Sequence, residues 1–226
     1  STPEIPLPPA PATPRTAFVA LIGRTNVGKS MLLNSLTKEE RSIVSDIAGT
    51  TRDAVDTLLT YEEKSFLLID TAGIRKSGRI DHGIEKYSVL RSIRAIDRAD
   101  VAILVLDASE LATSQDTHIA GYILDAFKGI VIAVNKWDLA PEYGLNKMNA
   151  TELIMERFKF ASFAPICFTS ALSDTGIEDL IDTTQEVYRE WTKGRHKGRW
   201  LLPSLRAVSL SFLLLLIMRP SLIIST

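Results

Sequence analysis

The sequence predicts an α/β fold: a mostly parallel sheet flanked by helices. Three observations carry this reading. From Ala17 onward, short apolar runs alternate with segments of helical period, the pattern of repeated strand–helix units. The first pair, "AFVALI" and "MLLNSL", is joined by "GRTNVGKS", Gly23 to Ser30. Its G-x-x-x-x-G-K-S spacing is that of a phosphate-binding loop, placing the chain with the P-loop NTPases. Further short polar signatures follow later apolar runs, where ligands sit in open parallel sheets.

The expected strands are "AFVALI", "VDTLLTY", "SFLLID", "VAILVLD", "GIVIAVN" and "APICFTS". Between them, "KSMLLNSL", "IEKYSVLRSIRAIDRA", "SQDTHIAGYILDAF", "ATELIMERFKF" and "IEDLIDTTQEVYREW" read as helices. These segments delimit a nucleotide-binding domain over residues 16–192. Residues 1–15 hold six of the ten prolines and read as a linker or exposed arm. Residues 193–226 combine a basic segment, with Lys193, Arg195, His196, Lys197 and Arg199 expected after the last helix, and an apolar tail. The tail's uncharged run, Ala207 to Met218, is bounded by Arg206 and by Arg219–Pro220, too short for a spanning helix of ~20 apolar residues, so a membrane partner is not expected. The chain begins with Ser and reads as a fragment or a processed form.

A chain of 226 residues with 46% hydrophobic content can bury one substantial core. With 26 Lys+Arg against 27 Asp+Glu, no global basic field draws it to nucleic acid. The single cysteine, Cys167, excludes an internal disulfide and a cysteine-based zinc cluster, and reads as a buried structural thiol.

The chemistry follows from the motifs. Gly23 and Gly28 let the loop turn tightly, so that its amides, including those of Asn26 and Val27, approach phosphate oxygens. Lys29 would reach the outer phosphates and the Ser30 hydroxyl would ligate Mg²⁺. In "DTAG", Asp70 would hold Mg²⁺ directly or through water, and the Gly73 amide would face the γ-phosphate. In "SIVSDIAGTTRDAV", read as a switch loop, Thr51 is the choice for Mg²⁺ and Thr50 for backbone contacts. In "NKWD", the Asp138 carboxylate accepts from the ring N–H and exocyclic amine of guanine, whereas adenine presents an acceptor at the ring position. Lys136 would lie along base and ribose, and Asn135 would tie this loop to the phosphate loop. "TSA", with Ser170 and Ala171, follows the next strand, where the Ala171 amide would meet the guanine carbonyl. The expected catalytic set is Lys29, Thr51, Asp70 and Gly73.

These motifs, with "DTAGIRKSGRIDHGIEKYSVLRSIRAIDRADVAILVLDA" and "NKWDLA", resemble the Der (EngA) family of ribosome-assembly GTPases, in its second GTPase domain, over about residues 15–192. The wider class comprises Era, Der and the tRNA-modification GTPases. The resemblance implies a Ras-like GTPase domain, GTP/GDP with Mg²⁺, a nucleotide-controlled switch, and binding to the large ribosomal subunit and its rRNA. It implies the bacterial cytoplasm, or an organelle stroma or matrix in a eukaryote. Family members carry two GTPase domains and a KH-like domain, whereas one GTPase domain stands here, and the tail matches nothing in the family, which suggests a truncated or misread gene product.

Ile74 stands where Ras-type enzymes have the water-orienting glutamine. Relatives with an apolar residue there resemble potassium-stimulated GTPases. By that analogy Asn26 is a K⁺ ligand, helped by Ser45, Ile47 and Thr50; the alternative is that Asn26 only bonds within its loop. Two other readings of the whole remain: the GTPase domain of a tRNA-modification protein, which "KYSVLRSI" and the missing C-terminal cysteine argue against, and a nucleotide-binding module with little turnover by itself.

Overall fold

The computed structural model describes residues 16–38, 43–48, 55–77 and 85–196. Seven strands form one sheet: β1 (Ala17–Ile22), β2 (Ile43–Ala48), β3 (Val55–Tyr61), β4 (Lys64–Leu68), β5 (Val101–Asp107), β6 (Gly129–Asn135) and β7 (Ile166–Phe168). Their order is β2-β3-β4-β1-β5-β6-β7. From β4 to β7 all neighbours are parallel, and β2 and β3 close the opposite edge as antiparallel strands. The helices are α1 (Lys29–Leu36), α2 (Thr71–Ser77), α3 (Glu85–Arg98), α4 (Ser114–Asp125), α5 (Lys147–Arg157) and α6 (Ile177–His196), with short 3-10 turns at Trp137–Tyr143 and Lys159–Ala161.

Continuous apolar runs become central strands because both faces of the sheet are covered. Every residue of β5 and of β6 is buried. Alternate residues of β5 divide between two cores: Val101, Ile103 and Val105 pack with Leu32, Leu33 and Leu36 of α1 and Leu180 and Ile181 of α6. Ala102, Leu104 and Leu106 pack with Ile96 of α3, Ile123 of α4 and Ile154 of α5. Each fully buried Leu or Ile contributes about 1.5–3 kcal/mol relative to exposure. The sheet is therefore held rigidly between helical layers, and its carboxyl edge carries the loops of interest.

The structure departs from the sequence reading in four places. Residues 43–48, expected within a switch loop, pair with β3 from Ile43 opposite Thr60 to Ala48 opposite Val55; their β-branched Ile and Val suit an edge strand. The run "SFLLID" leaves the ladder at Leu68, because Asp70 takes a left-handed φ of 55° just before Thr71 starts α2, a helix too short to show a period. The strand expected at Ala164–Ser170 is only Ile166–Phe168. Helix α6 runs on to His196, so Lys193, Arg195 and His196 are helical rather than part of a following segment. Lys197, Arg199, the run 207–218 and the arm 1–15 lie outside the described residues. Among the described residues no helix is long and apolar enough to cross a membrane.

Cys167 is buried in β7, where burial pushes its thiol up to about 11, as suits an inert packing group.

Candidate nucleotide site

The loop between β1 and α1 is built by two glycines that nothing larger can replace. A Cβ on Gly23 would lie 2.5 Å from the Val105 carbonyl oxygen, so the loop runs directly over the end of β5. Gly28 has φ 93°, and a Cβ there would lie 2.3 Å from Asn135 Nδ2. Asn26 is also left-handed, at φ 63°, and successive left- and right-handed residues turn backbone amides into an anion-binding concavity. Gly28 is the N-cap of α1 and supplies no side-chain cap, leaving the first-turn N–H groups available for a ligand.

Lys29 folds back over this loop, its Nζ donating to the carbonyls of Gly23, at 2.8 Å, and of Arg24. Burial, reinforced by the Arg24 charge, lowers its pKa to about 8. Ser30 Oγ donates to the Ile74 carbonyl at 2.7 Å, docking α2 against the loop. The Gly73 N–H donates to the Asp70 carbonyl at 3.1 Å. Asp70 Oδ2 lies 3.3 Å from Arg91 Nε, and burial nevertheless raises the Asp70 pKa.

The second half of the site comes from the ends of β6 and β7. Asn135, 1% exposed, donates from Nδ2 to the Val27 carbonyl at 3.0 Å. Its Oδ1 accepts from the Ala171 N–H at 3.1 Å. Lys136 adopts φ 59° at the start of the 3-10 turn, and Asp138 Oδ1 accepts from Ser170 Oγ at 2.5 Å. Three stretches distant in sequence, 23–30, 135–138 and 170–171, are thus joined at one edge of the sheet.

Ser45 and Ile47 lie on β2, opposite Leu58 and Asp56. Thr50 and Thr51 lie outside the described residues.

The arrangement suits a nucleoside polyphosphate. The uncapped helix start and left-handed loop offer amide donors, Lys29 a positive charge, and Asp138 an acceptor pair. Ser30 and Asp70 offer a hydroxyl and a carboxylate, the hard oxygen donors that Mg²⁺ takes.

Comparison with known proteins decides the family. Residues 18–136 match the family described as 50S ribosome-binding GTPase. The chain belongs to this GTPase family.

GTPase Der of Chloroflexus aggregans is 51% identical over 175 residues, 77% of this chain and 39% of the relative. GTPase Der of Caldanaerobacter subterraneus subsp. tengcongensis is 51% identical over 178 residues, covering 79% and 40%. The chain therefore spans about two fifths of the length of these Der relatives. A crystal structure of Aquifex aeolicus Era bound to GDP and AlF₄⁻ aligns with a TM-score of 0.56 at 27% identity, over 76% of this chain and 56% of that one. The fold is that of a P-loop GTPase with a Ras-like sheet.

Within this GTPase domain, two acidic residues that motif reading did not single out support the site. Asp107, at the end of β5, accepts from Lys136 Nζ at 2.6 Å and from the N–H and Oγ of Ser109 at 2.9 and 2.6 Å. Burial opposes its charge, but these bonds outweigh it and hold the carboxyl below the usual range. Asp56, on β3, accepts from the Asp70 N–H at 2.9 Å and pairs with Arg98, fixing the turn that carries Asp70. The available sequence signal was position: Asp107 ends a buried strand beside the phosphate loop, whereas Asp56 looked like any polar residue in an alternating strand.

Proposed function

We propose that the domain spanning residues 16–192 binds GTP and GDP with Mg²⁺, hydrolyses GTP, and acts in assembly of the large ribosomal subunit. The observation that carries the nucleotide reading is the Asn135 junction, which makes base loop and phosphate loop one rigid unit. Asp138 would accept from the guanine edge, its Oδ1 steadied by Ser170. The Ala171 N–H would be shared between Asn135 and the base carbonyl, and the Lys136 stem would lie beside the purine. Val27, Gly28 and their neighbours would receive the phosphates, Lys29 keeping its loop carbonyls and turning its third donor to a phosphate oxygen. Ser30 and Asp70, with Thr51, would hold Mg²⁺, which supplies charge neutralisation on the transferring group.

The Gly73 N–H is engaged by the Asp70 carbonyl in the structure, so a γ-phosphate contact would require α2 to release it, whereas Ser30 Oγ donates its proton to the Ile74 carbonyl and keeps lone pairs for Mg²⁺. That engagement, and Ile74 in place of glutamine, favours slow intrinsic turnover as the second reading, a switch module that mainly signals by conformation. Asn26, Ser45, Ile47 and Thr50 would provide oxygens for K⁺; equal rates in KCl and NaCl at matched ionic strength would remove that role. The ribosomal role rests on the family's description and on similarity to GTPase Der, whose bacterial members motivate a cytoplasmic assignment. Any further GTPase or KH-like domains would belong to a longer protein. The primary test is competition: ATP must fail to displace labelled GDP where GTP succeeds. Lys29→Ala and Ser30→Ala must each lose GTP turnover while remaining folded.

A further inference from the structure

Arg24 belongs to the phosphate loop, yet its guanidinium reaches the start of α4. Its Nε donates to Asp116 Oδ1 at 3.0 Å, one Nη to Glu110 Oε2 at 2.7 Å and the other to the Glu110 carbonyl at 3.0 Å. Asp116 is fully buried, and its second oxygen accepts from the N–H and Oγ of Thr113, at 3.0 and 2.8 Å, in the capping box of α4. The carboxylate is therefore fixed by its own helix, and a fixed buried charge holds its partner in one place. The backbone of Arg24 carries the other end of the relationship, because its carbonyl is one of the two that seat Lys29.

We propose that Arg24 is a positioning residue for polyphosphate binding: clamped by Asp116 and Glu110, it sets the loop segment from which Lys29 is presented. A guanidinium suits this, since its planar fork of donors bridges two carboxylates and so fixes orientation as well as distance. The inference rests on the nucleotide reading above and extends it from the residues that face the ligand to a pair that does not. A clamp of this kind acts on the outer phosphate, which Lys29 serves, and leaves the base loop alone.

The test compares GDP with GMP by equilibrium titration on the full chain. Arg24→Ala should weaken GDP by about tenfold and GMP by less than about twofold, the size of one lost charge-assisted bond. Arg24→Lys, able to keep one of the two carboxylate contacts, should fall between native and Arg24→Ala. In an Asp116→Asn background, Arg24→Ala should add little, because the two act as a unit. Equal loss for GDP and GMP would mark a general structural role and overturn the proposal, as would unchanged GDP affinity. If Arg24→Ala does not fold, Arg24→Lys decides by the same GDP-to-GMP ratio. A native chain that binds neither nucleotide would instead defeat the functional reading on which the proposal rests.

Discussion

Asn135 Nδ2 donates to the Val27 carbonyl at 3.0 Å, bridging the loop that would hold the base to the loop that would hold the phosphates. The same side chain accepts from Ala171 through Oδ1, so one amide, with donor and acceptor ends, satisfies two loops at once. Asn135→Ala leaves a buried carbonyl and an N–H without these partners, which costs about 1–3 kcal/mol for each group left unsatisfied. Urea unfolding should show a lower midpoint, and GDP affinity should fall with it. A variant as stable as the native chain would show that the bridge is not structural.

The proposed contact of Asp138 with the base predicts a change in preference. Asp138→Asn turns an acceptor oxygen into a donor facing the guanine amine, and losing one charge-assisted bond costs about 1.5–3 kcal/mol. Xanthine, with a carbonyl at that position, should gain relative to guanine. Asp138 Oδ1 already holds Ser170 Oγ, so the variant should also loosen the turn after β7. Competition between GDP and XDP measures the switch; an unchanged ratio removes Asp138 from base recognition.

Lys29 predicts how nucleotide affinity depends on pH. Its folded pKa, lowered to about 8, lies below the ordinary 10.5, because burial and Arg24 disfavour its charge. Between these values the unfolded chain binds more protons than the folded one, so the native state gains stability as pH rises through that window. Phosphate favours the charged lysine, so binding above pH 8 must take up a proton, and GDP affinity should decline there. Calorimetric titrations from pH 7 to 9.5 should show this decline and its absence in Lys29→Arg, within the pH range where the chain stays folded. A flat native profile would mean that Lys29 stays charged in the free state.

The central fold was legible because buried strands write themselves as unbroken apolar runs: β5 and β6 need no context to be seen. The glycine positions in the phosphate loop were legible because Gly23 meets the Val105 backbone and Gly28 combines a left-handed φ with the buried Asn135 side chain, and both disfavour a Cβ. The edge was harder. Strand β2 has one ladder partner among the described residues, and its sequence, "IVSDIA", sits beside "GTTRD", whose loop chemistry dominates a local reading. Helix α2 escaped because seven residues hold no clear period and its first residue follows a left-handed Asp70. Asp107, Asp56 and Arg24 act through contacts 14 to 92 residues away, which spacing does not encode.

Asp107 gives the last prediction, because it separates positioning of the base from action on the phosphates. Lys136 starts the 3-10 turn with a left-handed φ of 59°, and its ammonium is held by Asp107 Oδ2 at 2.6 Å. The stem between these two anchors passes near Gly28, where an added Cβ would lie 3.9 Å from Lys136 Cε. Asp107→Asn keeps an oxygen for Ser109 but turns an amide donor toward the ammonium, so Lys136 loses its seat while the strand end survives. The lost charge-assisted bond is worth about 1.5–3 kcal/mol at most, and partial exposure of Lys136 reduces it toward the lower end. GDP affinity should therefore fall by about tenfold, the equivalent of ~1.4 kcal/mol. Turnover at saturating GTP should stay near native, since Lys29, Ser30 and Asp70 are untouched. The folded-state carboxyl lies below its ordinary pKa, so its stabilising effect is present above about pH 4 and disappears as pH falls through the lowered value; the variant should lack that part of the acid transition. If turnover collapses while affinity holds, Asp107 serves the phosphates and not the base.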